Sequence, residues 1–367
     1  MSQPGAAQPG AAQPGAAQPD VADGGVAGPH VTVVVPTHDR PRLLALAVAS
    51  ALAQDVPVDV VVVDDGSPAP VALPAHPRLT VLRHETPQGG SAARNLGARH
   101  ARTRWVLWLD DDDVLLPHAV RVALAAVAAS TLPPPVAALS GIEVVDEAGR
   151  VSSRRLPPDA LARGAHFFLE GPVAGRSYNT KQTLLVERDV ALGVGGFDPT
   201  FRSRVHTDFF LRLNPVCSLQ GVPEVTYRLL VHSGPRVSGD PGLRQRSHAQ
   251  LLERHREAFA AHPRAQAAFC LEHARHSWAN GQRSAALRAV ARAVRVAPLE
   301  TARRTAGALA GAGSRALRLR SRRPRPGHPD PGHPDPGHSD PGHSDPGHPG
   351  PGRLRAGRPR LRAGRPS

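Results

Sequence analysis

Trp105 to Asp113 reads WVLWLDDDD, five large apolar residues followed directly by four aspartates. A run this short and apolar fits a strand buried on both faces, as in a parallel sheet. Four adjacent carboxylates repel one another at neutral pH, so they favour solvent or a bound cation. In open α/β sheets ligands bind outside the carboxyl ends of the strands, which is where these carboxylates would stand.

Working outward, Val31–Val35 is a β-branched run that stops at Pro36, as a buried strand would. In Arg42–Gln54, Leu43, Leu44, Ala47, Val48, Ala51 and Leu52 recur at helical spacing. Val58–Val63 reads as a second strand, closed by Asp64, Asp65, Gly66 and Ser67, and Leu79–Arg83 as a third. Ser91–Thr103 and the alanine-rich Pro117–Ser130 read as helices on either side of the opening stretch. This β-α-β order predicts an α/β fold, a mostly parallel, Rossmann-like sheet with flanking helices. Three strand ends then carry polar residues: Thr37-His38-Asp39, Asp64-Asp65 and Asp110 to Asp113. Past Asp240 the pattern turns helical, with Ser247–His262 and Ala265–Val296 as helices and a break at Gly281. His273 to Pro298 looks like one tetratricopeptide-type hairpin. A lone unit needs neighbours for stability, so it is expected to lie against the preceding domain.

The ends differ in kind. Q-P-G-A-A repeats from Gln3, and P-G-H-[PS]-D repeats from Pro326, spacing His328, His333, His338, His343 and His348 by five residues. Such segments cannot bury a core, and the histidine tract is read as solvated tail rather than metal site. The expected organisation is a disordered leader over 1–28, a catalytic domain over 29–240, a helical extension over 241–300 and a disordered basic tail over 301–367. Net charge is +14, but Arg303 to Ser367 holds 14 Arg and 4 Asp and so carries +10 of it. The basic character belongs to an appendage and gives no sign of a nucleic-acid site in the folded body. Two cysteines, Cys217 and Cys270, exclude a disulfide framework and suggest a reducing compartment. With no spanning run and no signal-peptide pattern, a cytoplasmic protein is expected.

The motifs VVVPTHDR (33–40), VVVDDGS (61–67), GGSAARN (89–95) and WLDDDD (108–113) resemble, in order and spacing, the donor-binding half of family 2 glycosyltransferases. NTKQTLLVER (179–188), GVGGFD (193–198), HTDFFLRL (206–213) and YRLLVHSGPRVS (227–238) are similar to that family's second half. The resemblance spans about Val31 to Ser238. It implies a GT-A fold and inverting transfer from a nucleotide-diphosphate-sugar, with a uridine or thymidine nucleotide, to an acceptor hydroxyl.

By that resemblance Pro36, Thr37 and His38 meet the base and ribose, with His38 standing where an aromatic is common. Asp65 would accept a hydrogen bond from the base, and Arg94 would lie near the diphosphate. Asp110 and Asp112 match the family's D-x-D. Asp112 would bind the metal, Asp110 the ribose or a metal-bound water, and Asp111 and Asp113 would support them. Carboxylate oxygens suit Mn²⁺ or Mg²⁺. His232 would complete the metal shell. Asp208 takes the position of the catalytic base, with Thr207 where many relatives have glutamate. His206 has no counterpart and stays unassigned. Gly195 and Gly196 would shape a turn under the acceptor, which is expected to be a carbohydrate or a lipid-linked sugar. The arginine-rich tail could add contact with an anionic membrane face, at roughly 1 kcal/mol per residue near the surface.

Two other readings use the same kind of sheet. A sugar-phosphate nucleotidyltransferase would place a glycine-rich loop after the first strand, where this chain has Pro36 to Arg40 without glycine. A non-catalytic nucleotide-sugar-binding module would keep the fold and lose the base.

Overall fold

The computed structural model of the protein describes residues 31–165, 181–231 and 240–307. In chain order the elements are β1 (Val31–Thr37), α1 (Pro41–Leu52), β2 (Val58–Asp64), β3 (Leu79–Arg83), α2 (Gly90–His100), β4 (Trp105–Trp108) and β5 (Asp113–Leu115). There follow α3 (Ala119–Ala128), β6 (Val136–Val145), β7 (Val151–Arg155), β8 (Ala160–Leu161), β9 (Leu185–Glu187), α4 (Arg188–Gly193), α5 (Val205–Leu213) and β10 (Ser218–Leu230). The last are α6 (Pro241–Arg254), α7 (Arg256–Ala261), α8 (Pro263–Ala279) and α9 (Arg283–Val296).

The strands form one ten-stranded sheet in the order β3-β2-β1-β4-β9-β6-β10-β5, with β7 beside β6 and β8 beside β10. β3, β2, β1 and β4 run parallel. Side chains alternate between faces along a strand, and the valine runs use both. Val31, Val33 and Val35 join Leu44, Ala47 and Val48 of α1 and Val120 of α3 on one face. Val34, Val106 and Trp108 meet Ala98 of α2 and Phe209 and Phe210 of α5 on the other. This two-sided burial is why β1, β2 and β4 read as continuous apolar runs rather than alternating ones.

Several boundaries differ from the sequence reading. α1 begins at Pro41, whose fixed φ suits the first turn. Leu109 lies beyond β4, and the acidic run leads into β5, an unforeseen strand held antiparallel to β10. The helical segment starts at Pro241 because Asp240 caps it, accepting from the Gly242 and Leu243 amides at 2.7 and 3.1 Å. Its helices are docked as expected: Leu251, Leu252, Phe259, Phe269 and Ala293 share a core with Phe201 and with Leu211 of α5. A disordered tail from residue 301 is corrected for its first residues. After a break at Ala297, helix resumes and runs through 307, with Thr301 buried and Arg303 and Arg304 paired to Glu300 at 3.0 and 2.6 Å. The leader, the rest of the tail with its histidine repeats, and His232 lie outside the described residues.

Candidate functional site

Asp110 to Asp112 form a turn between β4 and β5, closed by the amide of Asp113, the first residue of β5, donating to the Asp110 carbonyl at 3.1 Å. A turn splays successive side chains, so each carboxylate finds different company. Asp110 receives Lys181 Nζ on both oxygens, at 2.7 and 2.6 Å, and Arg94 Nη2 on Oδ1 at 2.7 Å. Asp111 accepts from the Thr37 hydroxyl at 2.7 Å and from Arg40 Nη1 at 3.2 Å. Arg40 Nη1 also reaches Asp112 Oδ2 at 2.8 Å. Asp113 is buried, accepting from the Tyr227 hydroxyl at 2.7 Å and from the Leu230 amide at 2.9 Å.

The electrostatics follow. Burial disfavours the charged form of Asp110, but Lys181 and Arg94 outweigh it and hold that carboxyl far below the ordinary range. Burial pushes Asp113 up to about 7, helped by the charges of Asp110 and Asp112. Burial likewise raises Asp111, against the hydroxyl of Thr37. Of the four carboxylates, Asp110, Asp111 and Asp112 are in direct contact with the cations Arg40, Arg94 and Lys181.

The neighbouring strand ends are tied to this turn. Pro36 lies buried in β1 beside Val63, Thr37 bonds Asp111, and the exposed His38 sets Nδ1 2.9 Å from the Asp65 carbonyl. The Asp65 carboxylate is well used. Oδ1 lies 2.7 Å from His84 Nδ1 and accepts the Gln88 amide at 2.9 Å, while Oδ2 accepts the Gly89 amide at 2.7 Å. It fastens the loop that starts α2, a role the sequence did not suggest. Gly66 makes the fit possible, with φ +70° and Pro87 N 2.7 Å from where a Cβ would stand. Arg94, from the first half of α2, lies on Asp110 rather than in open solvent.

On the other side stands α5. Asp208 is turned away from solvent. Its side chain is 0 % exposed, with Oδ2 2.5 Å from Arg212 Nη2 and Oδ1 2.9 Å from His255 Nε2 and 3.1 Å from Arg254 Nε. Burial would raise this carboxyl, but the hydrogen bonds from His255 and Arg212 keep it low. A base must reach the hydroxyl it deprotonates, and here both oxygens are engaged by α5, α6 and the α6–α7 junction. His206, two residues earlier, is half-buried and has Lys181, Arg204, Asp110 and Arg94 as its charged neighbours. Burial, then Lys181 and Arg204, lower it to about 3, so it is neutral at physiological pH. Gly195 and Gly196 do form the expected turn, with φ +89° and +62°. A Cβ on Gly196 would collide with Asn95, whose side chain grips Phe197 through the backbone at 2.7 and 2.8 Å.

Asp112 is the residue of the turn that could hold a divalent ion. The Asp112 side chain is a hard carboxylate, 16 % exposed at the turn, and it shares one guanidinium with Asp111. Mg²⁺ commonly uses one or two carboxylates together with substrate phosphates. Among the described residues no three His, Cys, Asp or Glu side chains converge to form a closed cage.

Arg40 and Lys181 were missed by the sequence reading. Arg40 stood at the end of the first motif without an assigned role. Lys181 had a signal in plain view, since it is the only lysine in 367 residues, beside 44 arginines. A position that departs from so strong a bias calls for a compact ammonium rather than a planar guanidinium.

Residues 32–134 match the model of the family described as Glycosyl transferase family 2. The chain is 26% identical over 188 residues to an "Uncharacterized glycosyltransferase" of Haemophilus influenzae, covering 50% of this chain and 61% of that protein. It is 42% identical over 98 residues to the succinoglycan biosynthesis protein ExoO of Rhizobium meliloti, covering 25% of this chain and 28% of that one. It therefore spans less than two thirds of either relative. Among solved structures, S. aureus TarS 1-349 in complex with UDP-GlcNAc superposes with a TM-score of 0.52 at 17% identity, covering 74% of this chain and 82% of that chain. At that identity the likeness establishes the fold, which is of the GT-A type. Among the described residues no helix is long and apolar enough to cross a membrane.

Proposed function

Because the chain carries a family 2 glycosyltransferase domain on a GT-A fold, we propose that it moves a sugar from a nucleotide-diphosphate donor to an acceptor hydroxyl, with inversion. The observation that carries this reading is the joining of three strand ends into one polar cluster, through Thr37–Asp111, His38–Asp65 and Arg94–Asp110. Uridine or thymidine diphosphate sugars are the proposed donors. A divalent ion on Asp112, Mn²⁺ or Mg²⁺, would neutralise charge on the leaving diphosphate. Arg94 and Lys181 would add fixed positive charge beside it, and Thr37 and His38 would hold the nucleoside end.

In the transfer, the acceptor oxygen attacks the anomeric carbon and its proton passes to a base. The bond from that carbon to the phosphate oxygen breaks, with its electron pair leaving on the nucleoside diphosphate. With Asp208 sealed, His206 is the group of α5 we assign to receive the proton. Its imidazole is neutral in the free protein, and a bound diphosphate would raise its basicity by offsetting Lys181 and Arg204. The acceptor is proposed to be a carbohydrate or a lipid-linked sugar. The arginine-rich residues 321–367 are proposed to touch anionic membrane, which equal sedimentation of full-length and truncated protein with anionic vesicles would refute.

The burial of Asp208 also favours a second reading, a nucleotide-sugar-binding module without turnover. Hydrolysis and transfer assays with uridine and thymidine diphosphate sugars and Mn²⁺ separate the two. Turnover supports the enzyme, and donor binding by calorimetry without turnover supports the module.

A further inference from the structure

Among the described residues, eight buried side-chain nitrogen and oxygen atoms have no hydrogen-bond partner, and five of them gather where α5, α6 and α8 meet. They are Nε and Nη2 of Arg204, Nε of Arg244, Nε2 of His248 and Nδ1 of His273. Arg204, His248 and His273 are 8, 6 and 4 % exposed. The two imidazoles stack 3.8 Å apart, and the Phe269 ring lies 4.8 Å from both the His248 ring and the Arg204 guanidinium. The charges of Arg204 and Arg244 act on both imidazoles, and that of Arg244 on Arg204, so the four groups stand together. Arg204, just before α5, is held at φ +57°, a left-handed backbone that a large side chain keeps only where its surroundings impose it.

Arginine N–H groups only donate, so the three orphaned nitrogens of Arg204 and Arg244 call for acceptors. Among the described residues no carboxylate supplies them. Glu272 acts on Arg204 from a distance, while its half-exposed side chain meets His276 at 3.7 Å. Arg292 adds further positive charge beside His248. Like charges buried together without a counter-ion are costly. Water would satisfy the N–H groups and leave the charge uncompensated, whereas an anion answers both needs. We propose that this junction is a binding site for a small oxyanion of the phosphate or sulfate class, received by Arg204, Arg244, His248 and His273. Phosphate could arrive there as the free ion or as an ester. The site needs neither the acidic turn nor the sugar-transfer reading.

The test titrates inorganic phosphate, sulfate and chloride at equal ionic strength into the full-length protein with a chelator present, read by calorimetry and thermal shift. Phosphate and sulfate should bind and raise Tm at concentrations too low for general exclusion from the protein surface to act, and chloride should not. Arg204→Gln should abolish the response. If that buried change unfolds the protein, Arg244→Gln, at a half-buried position, carries the arm. Arg244→Gln and His273→Gln should each weaken binding by about tenfold or more, the worth of a hydrogen bond to a charged group. Arg94→Gln, which removes a cation of the acidic turn, should keep the response. Glycerol phosphate tells the two sources apart: tighter binding than inorganic phosphate assigns the site to an ester, weaker binding assigns it to the free ion, and either supports it. No response to phosphate or sulfate in the wild type overturns the proposal. So does an equal response in folded Arg244→Gln and His273→Gln, or a response lost in Arg94→Gln, which would place the ion at the acidic turn.

Discussion

Asp208 and Arg212 stand one turn apart on α5 and close on each other, with Arg212 Nη2 2.5 Å from a carboxylate that has no exposed surface. Arg254 and His255 complete the enclosure from the helical extension. The extension is thereby joined to the preceding α/β domain by charge as well as by the apolar contacts of Phe201 and Leu211.

Asp208→Asn should therefore act on stability. Removing one partner of a buried ion-pair network typically costs about 3–5 kcal/mol, which chemical denaturation would register. Donor affinity, measured on protein that remains folded, should change little. An unaltered unfolding midpoint together with a large loss of transfer would restore Asp208 as the base.

His206→Gln should show the opposite pattern. The side chain lies at the cluster without the buried ion pairs of Asp208, so the melting temperature should stay close to wild type. Transfer should fall by about 10²–10⁴-fold, the usual contribution of a positioned base, with donor affinity nearly unchanged. Wild-type transfer rates in this variant would remove His206 from the reaction.

Donor binding should depend on Asp112. Asp112→Ala should lose the divalent-dependent part of nucleotide binding while the fold remains. A thermal-shift series of uridine and thymidine diphosphates and their sugars, with and without Mn²⁺, would identify the donor, because a ligand bound only by the native state raises its stability. Equal Mn²⁺-dependent shifts in wild type and variant would defeat the assignment.

Acid should loosen the helical extension. His248 and His273 stack at 3.8 Å with planes 7° apart, both buried. Burial first, then neighbouring positive groups, lower them: His273, Arg204, Arg292 and Arg244 around His248, and Arg204, Arg244 and His276 around His273. Their values fall from 6.5 to about 2 and about 4. Below pH 6.5 the unfolded chain takes up protons that the folded chain refuses, so stability falls as pH drops toward 4 and continues to fall below it. Replacing both by phenylalanine should flatten this limb of the stability-pH curve. An acid limb unchanged in that variant would show that other groups carry it.

Local pattern was enough for much of this protein. The valine runs of β1 and β2, and the apolar stretch before Asp110, announced strands buried on both faces, and the α1 periodicity announced the first helix. The acid at the strand ends announced where a ligand would meet the sheet, since strand direction and side-chain period are properties of consecutive residues. Which cation meets which carboxylate was not available at that level. Lys181 reaches Asp110 across 71 positions and Arg40 reaches Asp112 across 72. Those meetings depend on the sheet order that places β1, β4 and β9 side by side. Asp208 shows the same limit. Its motif was legible, but its surroundings were decided by His255, 47 residues later, folding back over α5. A carboxylate is a base or a structural anchor according to the charges and solvent around it, and only tertiary contact sets those.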